Sequence, residues 1–312
     1  MRRVILFLLV AAAFTPVGCN WITGGKTKPA ITTDRPRDRL APRSANDFVT
    51  YLNRQAGYLQ TIRYDDATLS VSIPGQWIPS LDNGMLVCGK PNNFRMTAGR
   101  IALGKQLDVG SNSQEMWMYV KPSDPQFLYC SHTDFPRVQG ALPVKFEPDW
   151  MLQALGLSTF DPSRTYEVRA DEKQRVYYLT YPDTTATGER VLKVTEFEGD
   201  DKIGTKPRVR RHAVLTADQK QLIAIATITK AADYTVGTDP MSGGPAVVQV
   251  PTELTLEWPQ EKVKMELKLG QVKLNETMSQ TDFDSLFRRP REISSAQPVN
   301  LADYLSMPLP RR

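Results

Sequence analysis

The sequence predicts a mainly β protein built on one curved antiparallel sheet of about eleven strands. Three observations point there. From residue 66 onward the apolar residues alternate at period two, where a helix would repeat them every three to four. Clusters of Gly, Pro, Asn and Asp interrupt that alternation at short intervals. Helical patterning is confined to a few short segments, too few to clothe both faces of a parallel βαβ sheet.

The N-terminus has its own pattern. Arg2 and Arg3 supply positive charge, and Val4 through Phe14 form an unbroken apolar run of eleven residues, followed by Pro16-Val17-Gly18-Cys19. Eleven residues are too few for a hydrocarbon core of about 30 Å and suit a signal-peptide core. Small Gly18 fits cleavage before Cys19 by a lipoprotein signal peptidase, once a diacylglycerol has been attached to the thiol, the nucleophile this chemistry needs. Pro16 stands where Leu is usual, and an ordinary secretory cut in the same region is the alternative. Residues 1–18 are therefore expected to be a signal peptide and Cys19 the lipidated residue, with palmitate-type acyl chains as the membrane anchor. No later segment approaches 18 consecutive apolar residues, so no other span is expected. Asn20 after Cys19 is compatible with outer-membrane sorting, which favours the periplasmic face of the outer membrane over the inner membrane.

Residues 20–45 hold three Pro, two Gly and eight charged residues with almost no apolar pattern. Such a segment buries too little surface to offset its ordering entropy. It reads as a tether with a reach of roughly 25–30 Å. Residues 1–18 contain two of the 39 basic residues, so the mature chain carries 37 against 34 acidic ones. That balance is too mild for a nucleic-acid partner. Cys88 and Cys130 lie in different strands, and the compartment permits a bridge between them without requiring one.

A helix is expected from Ser44, where Ser44 and Asp47 form a capping-box-like start. Phe48, Leu52, Ala56 and Leu59 then make one apolar stripe. Strands follow at 69–73, 85–88, 94–96, 114–120, 126–130, 166–170, 176–181, 191–197, 209–215 and 222–229. The cleanest are 252–258, with Leu254, Leu256 and Trp258 on one face, and 263–269, with Val263, Met265, Leu267 and Leu269 on one face. Glu253, Glu257, Lys264, Glu266 and Lys268 face the other way, as in a sheet with one dry and one wet side. Between strands, 148–156 has Pro near its start and Gly just past its end, the asymmetry of a helix. After Pro290 only 300–305 has a helical possibility.

Across residues 46–290 these features resemble the LolA/LolB family of lipoprotein carriers and receptors. Four pieces carry the resemblance. The first is the hairpin from Gly84 through Arg95, with Lys90-Pro91-Asn92-Asn93-Phe94 at its turn. The second runs from Asp108 to Asn112 and on to Trp117-Met118-Tyr119. The third is the helix at Trp150–Leu157. The fourth is the close formed by residues 251–258, Asn275, Phe283 and Phe287-Arg288-Arg289-Pro290. The resemblance implies an incompletely closed barrel, a strongly curved sheet whose apolar concave face is covered by helices. It also implies carriage or receipt of lipid-modified proteins in the envelope, and Cys19 fits the anchored receptor better than the soluble carrier. Lys90 takes the place of an Arg that helps hold the family's helical lid, and Lys lacks that residue's planar fork. The chain is also about 100 residues longer than a typical member, chiefly in the tether, 182–189, 237–246 and 291–312, which is expected to be a tail.

On this reading the groove is lined by Leu86, Phe94, Met96, Trp117, Tyr119, Trp150, Leu254, Leu256, Trp258, Met265 and Leu267, with Lys90 contacting the lid. Met and aromatic residues adapt to acyl chains, and the same set can equally fill a core. The first function expected is a non-catalytic, lipid-anchored binder of acyl chains or lipoproteins. The alternative is an envelope structural or sensor module with a filled core and function in loops 74–83 and 237–246. No nucleophile-base pair, Walker motif or His-Glu-x-x-His pattern is present, so neither an enzyme nor a cofactor is expected. Cys130, His132 and Asp134 alternate like metal ligands, but a fourth ligand is missing, and ordinary strand-end residues are the favoured reading. The basic run from Lys206 to His212 suits anionic head groups or, preferably, a solvated strand face balanced by Glu196, Glu198, Asp200 and Asp201.

Overall fold

The computed structural model describes residues 39–76, 78–121, 126–141, 147–199, 206–293 and 296–306. The signal segment, Cys19 and the tether up to residue 38 lie outside them. Helix α1 (Ala45–Gly57) starts where the capping box sets it. Asp47 N–H donates to Ser44 Oγ at 3.2 Å and Ser44 N–H to Asp47 Oδ2 at 2.7 Å. Just before it, Leu40 and Ala41 are buried. Leu40 N–H donates to Glu172 Oε2 at 2.9 Å, so the described end of the expected tether is docked.

Strands β1 (Thr61–Ser72), β2 (Leu81–Gly89), β3 (Asn93–Arg100), β4 (Gly104–Ser111), β5 (Glu115–Val120) and β6 (Gln126–Ser131) form one meander. Short helices α2 (Phe135–Val138) and α3 (Pro148–Ala154) follow. A second meander contains β7 (Glu167–Asp171), β8 (Val176–Thr184), β9 (Arg190–Glu198), β10 (Val209–Thr216), β11 (Leu222–Thr238), β12 (Pro245–Trp258) and β13 (Val263–Lys268). The chain ends with β14 (Gln271–Leu274), α4 (Gln280–Leu286), β15 (Val299–Asn300) and α5 (Leu301–Ser306).

All strands join one sheet in the order β15-β6-β5-β4-β3-β2-β1-β13-β12-β11-β10-β9-β8-β7, with β14 paired to β1. Pairing is antiparallel except between β15 and β6. The end strands β15 and β7 are not neighbours, so the sheet does not close. The fold class agrees with the sequence expectation, and the additional strands are those with the weakest patterns. β4 has two Gly and two charged residues among eight, β14 is four residues long and β15 two. What lay in the expected loop 237–246 is shorter, because β11 and β12 extend to Thr238 and back from Pro245.

The curvature follows from what the two meanders share. Lys90, in the β2–β3 turn, and Asp183, on β8, border the same cleft of about 410 Å³. Seven strand spacings separate β2 from β8 along the sheet, about 34 Å if it were flat. The sheet is therefore curled around its inner face. That face buries one continuous apolar cluster drawn from β1–β4, β9–β13 and α3. Leu254, Leu256 and Trp258 enter it, while Glu253 and Glu257 stay outside, as the alternation requires.

The outer face is not uniformly wet. Over β2–β6 the C-terminal segment covers it. Phe283 lies against Gly89, where a Cβ would come within 2.9 Å of the ring, and Ile293 packs with Trp117, Tyr119 and Phe127. The segment expected as a tail thus supplies β15 and α5 to the sheet edge, with Leu301 and Ala302 buried beside Met116 and Cys130.

Candidate functional site

The inner hollow is the face that the groove residues are expected to line. Leu86, Phe94, Met96, Trp150, Leu254, Leu256, Trp258 and Leu267 all belong to its buried cluster, and Met265 packs against it half-buried. Trp117 and Tyr119 do not. They face outward in a separate cluster, because Met118 on the same strand opposes Val109 of the inner face and residues alternate. Gly110 makes this possible: a Cβ there would come 2.2 Å from the Trp117 ring. Period two fixes which residues share a face but not which face is concave.

Helix α3 occupies the hollow. Trp150 meets Trp258 edge to face with ring centres 5.6 Å apart. Met151, Leu152, Leu155 and Leu157 are buried against the sheet. Gly156, at φ +81°, ends the helix, and Leu157 N–H donates back to Leu152 O at 2.9 Å. Polar ties between this plug and the sheet are sparse. Gln153 lies 3.4 Å from His212 Nδ1 and hydrogen-bonds the Tyr181 hydroxyl. Ala186 N–H, in the β8–β9 turn, donates to Glu147 Oε1 at 3.3 Å. His212 is held by the Thr195 hydroxyl at 3.0 Å, and burial, with Lys193 nearby, pushes its pKa down to about 4. It is therefore neutral at pH 7.

Helix α1 is fixed differently. Lys90 Nζ donates to Ala56 O at 2.6 Å. Gln55 donates to Val247 O at 3.1 Å and accepts from Gln249 N–H at 2.8 Å. Arg54 pairs with buried Asp239. Asn275, part of the sequence resemblance, accepts from Gln60 N–H at 2.7 Å and donates to Tyr58 O at 2.7 Å, tying the helix end to β1. Lys90 does contact a helix, but that helix is α1, and it makes the contact as a point donor without an Arg fork.

Besides a space of about 40 Å³ by Gln153 and Ala154, two larger ones adjoin α3. One, of about 150 Å³, lies between its first turn, the β8–β9 turn and the ends of β10 and β11. The other is the cleft of about 410 Å³, where Asp183 is paired with Arg164 at 3.0 Å and Lys193 at 2.7 Å. Those cations, acting against burial, hold the Asp183 carboxyl below its ordinary range.

Among solved structures the chain is similar to a domain described as an outer membrane lipoprotein-sorting protein domain from Vibrio parahaemolyticus. The TM-score is 0.50 at 12% identity, covering 78% of this chain and 96% of that one. The chain has a LolA-like fold. A LolA superfamily protein from Nitrosomonas europaea is also similar, with a TM-score of 0.43 at 12% identity over 77% of this chain and 96% of that one. No protein-family model and no curated protein sequence matches the chain.

On this LolA-like sheet the other sequence candidates disperse. Cys130 is buried among apolar residues, His132 Nε2 sits 2.6 Å from Asn112 O, and Asp134 pairs with Arg137. Among the described residues no group of three His, Cys, Asp or Glu is placed to hold a metal. Cys88 and Cys130 are free thiols, and burial raises the pKa of Cys130 to about 11. In the basic run, Arg210 and Arg211 pair with Glu196 at 3.5 and 3.0 Å, and Arg208 with Asp233 at 3.8 Å.

Two features escaped sequence reasoning. Asp108 is fully buried and gathers Arg95, Lys105 and the Trp117 indole. The β3–β4 turn exposes Ile101 (93%) and Leu103 (52%), with Arg100 and Lys105 flanking them. Apolar residues at a hairpin tip were a visible signal for the second. Asp108 opens the second piece of the family resemblance, but its alternation with apolar Leu107 and Val109 reads as a solvent-facing carboxylate.

Proposed function

We propose that this LolA-like chain is an envelope protein, lipid-anchored through Cys19 on the periplasmic face of the outer membrane, that takes up an acyl chain, free or borne by a lipoprotein, without covalent chemistry. The observation that carries the reading is the plug: a seven-residue helix held in an apolar hollow almost wholly by apolar contacts. Such contacts are non-directional and scale with area, so an acyl chain replaces them on equal terms. In this mechanism α3 stays seated at Trp150 while the chain takes the places of Leu152, Leu155 and Leu157. α1, with its directional bonds, stays fixed. The fold shared with a domain described as lipoprotein-sorting supports the reading. The exposed Ile101 and Leu103 support contact with an apolar or membrane surface.

The test is solvent extraction of purified Cys19→Ala protein followed by lipid mass spectrometry, with uptake of a fluorescent C16 fatty acid in parallel. About one acyl lipid per protein, or stoichiometric probe uptake, is expected. Protein that carries no lipid and takes up no probe overturns the reading in favour of a filled-core interaction module.

A further inference from the structure

We infer that His212 is an acid-sensitive latch for the plug: protonation of its buried ring loosens α3 from the sheet and opens the hollow. Such a latch works whatever the hollow takes up, so it stands apart from the acyl-binding reading.

His212 sits on β10 beneath α3 and is only 3% exposed. Its Nδ1 lies 3.0 Å from the Thr195 hydroxyl of β9 and 3.4 Å from Gln153 Nε2 of α3. Both partners are neutral, so neither offsets a charge on the ring. The space of about 40 Å³ beside it is bounded by α1, α3, β10, β11 and β12. Among the described residues lining that space there is no Asp, Glu, Lys or Arg. Tyr51 of α1 also lines it, and burial raises the Tyr51 pKa to about 12, so this hydroxyl stays uncharged.

The charge felt from β9 is that of Lys193, a cation, which pairs with Asp183 of β8 at 2.7 Å. Tyr181, opposite Lys193 on β8, is kept protonated by burial. Glu196, next to Thr195, points to the other face of the sheet, where Arg210 and Arg211 hold it. An imidazolium at this position therefore meets a cation and, among the described residues, no facing carboxylate.

With α3 seated, burial keeps the ring neutral down to about pH 4, whereas a ring released into water returns toward its ordinary 6.5. The open state then binds more protons, so the seated state loses stability as pH falls from about 6.5 to about 4. Between pH 7 and pH 5 that linkage raises the open fraction about 20-fold. Of the two helices that meet at this space, α3 is the one to yield. Lys90, Gln55 and Asn275 hold α1 through directional bonds, while α3 meets the sheet almost wholly through apolar contacts.

The test is the protection of the Leu155, Gly156 and Leu157 amides, measured by hydrogen exchange on Cys19→Ala protein at pH 7 and pH 5. Their protection factors should fall about 20-fold at the lower pH, while those of α1 hold. Adding His132→Gln, which removes the other histidine of the chain, should leave the fall intact. Adding His212→Gln should reduce it to within about twofold. NMR titration of the unsubstituted His212 ring needs no variant to fold, and should show it neutral down to about pH 5. The latch is overturned by an equal fall in His212→Gln, by no fall in the parent, or by a ring already charged at pH 6. Uptake of a neutral fluorescent C16 ester, followed in parallel, separates the two readings. Lost protection without uptake keeps the latch and removes the acyl-binding reading; uptake with equal protection at both pH values does the reverse.

Discussion

Asp108→Ala is expected to destabilise the protein by about 3–5 kcal/mol, the cost of breaking a buried ion pair from one side. The carboxylate is fully buried and accepts from Arg95 Nε at 3.2 Å and Nη2 at 2.8 Å, from Lys105 Nζ at 2.7 Å and from Trp117 Nε1 at 3.0 Å. Arg95 also donates to Leu286 O at 2.9 Å, so the network joins β3, β4 and β5 to the C-terminal segment across the outer face. Removing the carboxylate strands a nearly buried guanidinium and a fully buried indole N–H. The hydrogen bonds and positive charges outweigh burial and hold the Asp108 pKa below its ordinary 3.8. A carboxylate whose native pKa lies below its unfolded value stabilises fully above the unfolded value. It loses that contribution as pH falls through the native one. The gap in urea midpoint between wild type and Asp108→Asn should therefore be constant near neutrality and narrow only below about pH 4. A gap independent of pH, or an Asp108→Ala midpoint equal to wild type, contradicts the account.

Trp258→Ala is the second large effect, expected to cost about 3–5 kcal/mol. Trp258 is fully buried on β12 and forms the surface on which Trp150 rests. Truncation leaves a cavity under the start of α3 that a seven-residue helix is too short to fill by bending. The loss should appear as a lower thermal midpoint together with faster hydrogen exchange in α3, while α1, held by Lys90, Gln55 and Asn275, keeps its protection. Equal loosening of both helices would show that α3 and α1 form one unit, which the plug mechanism does not allow.

Much of this architecture was legible in the chain. Ser44 and Asp47 placed the first helix, Gly156 ended α3, and the alternation in 252–258 and 263–269 fixed which residues of β12 and β13 are buried. Local pattern stops short wherever burial is imposed from a distance. Trp117 and Tyr119 read as groove residues because the pattern marks them as buried; the strap that buries them on the outer face lies more than 170 residues along the chain at Ile293. The same holds for β4, whose Gly104, Lys105, Asp108 and Gly110 look like a loop until Arg95 and Trp117 are placed around them. At the site, Trp150 and Trp258 were identified individually. Their edge-to-face contact is a tertiary property that no spacing encodes.

The plug mechanism is tested most directly by hydrogen exchange at the amides of Leu155, Gly156 and Leu157, measured on Cys19→Ala protein with and without saturating methyl palmitate. The account predicts that these three amides, bonded to Met151, Gln153 and Leu152, exchange at least about tenfold faster with ligand bound, while those of α1 are unchanged. Ligand that binds and leaves them equally or better protected would contradict it.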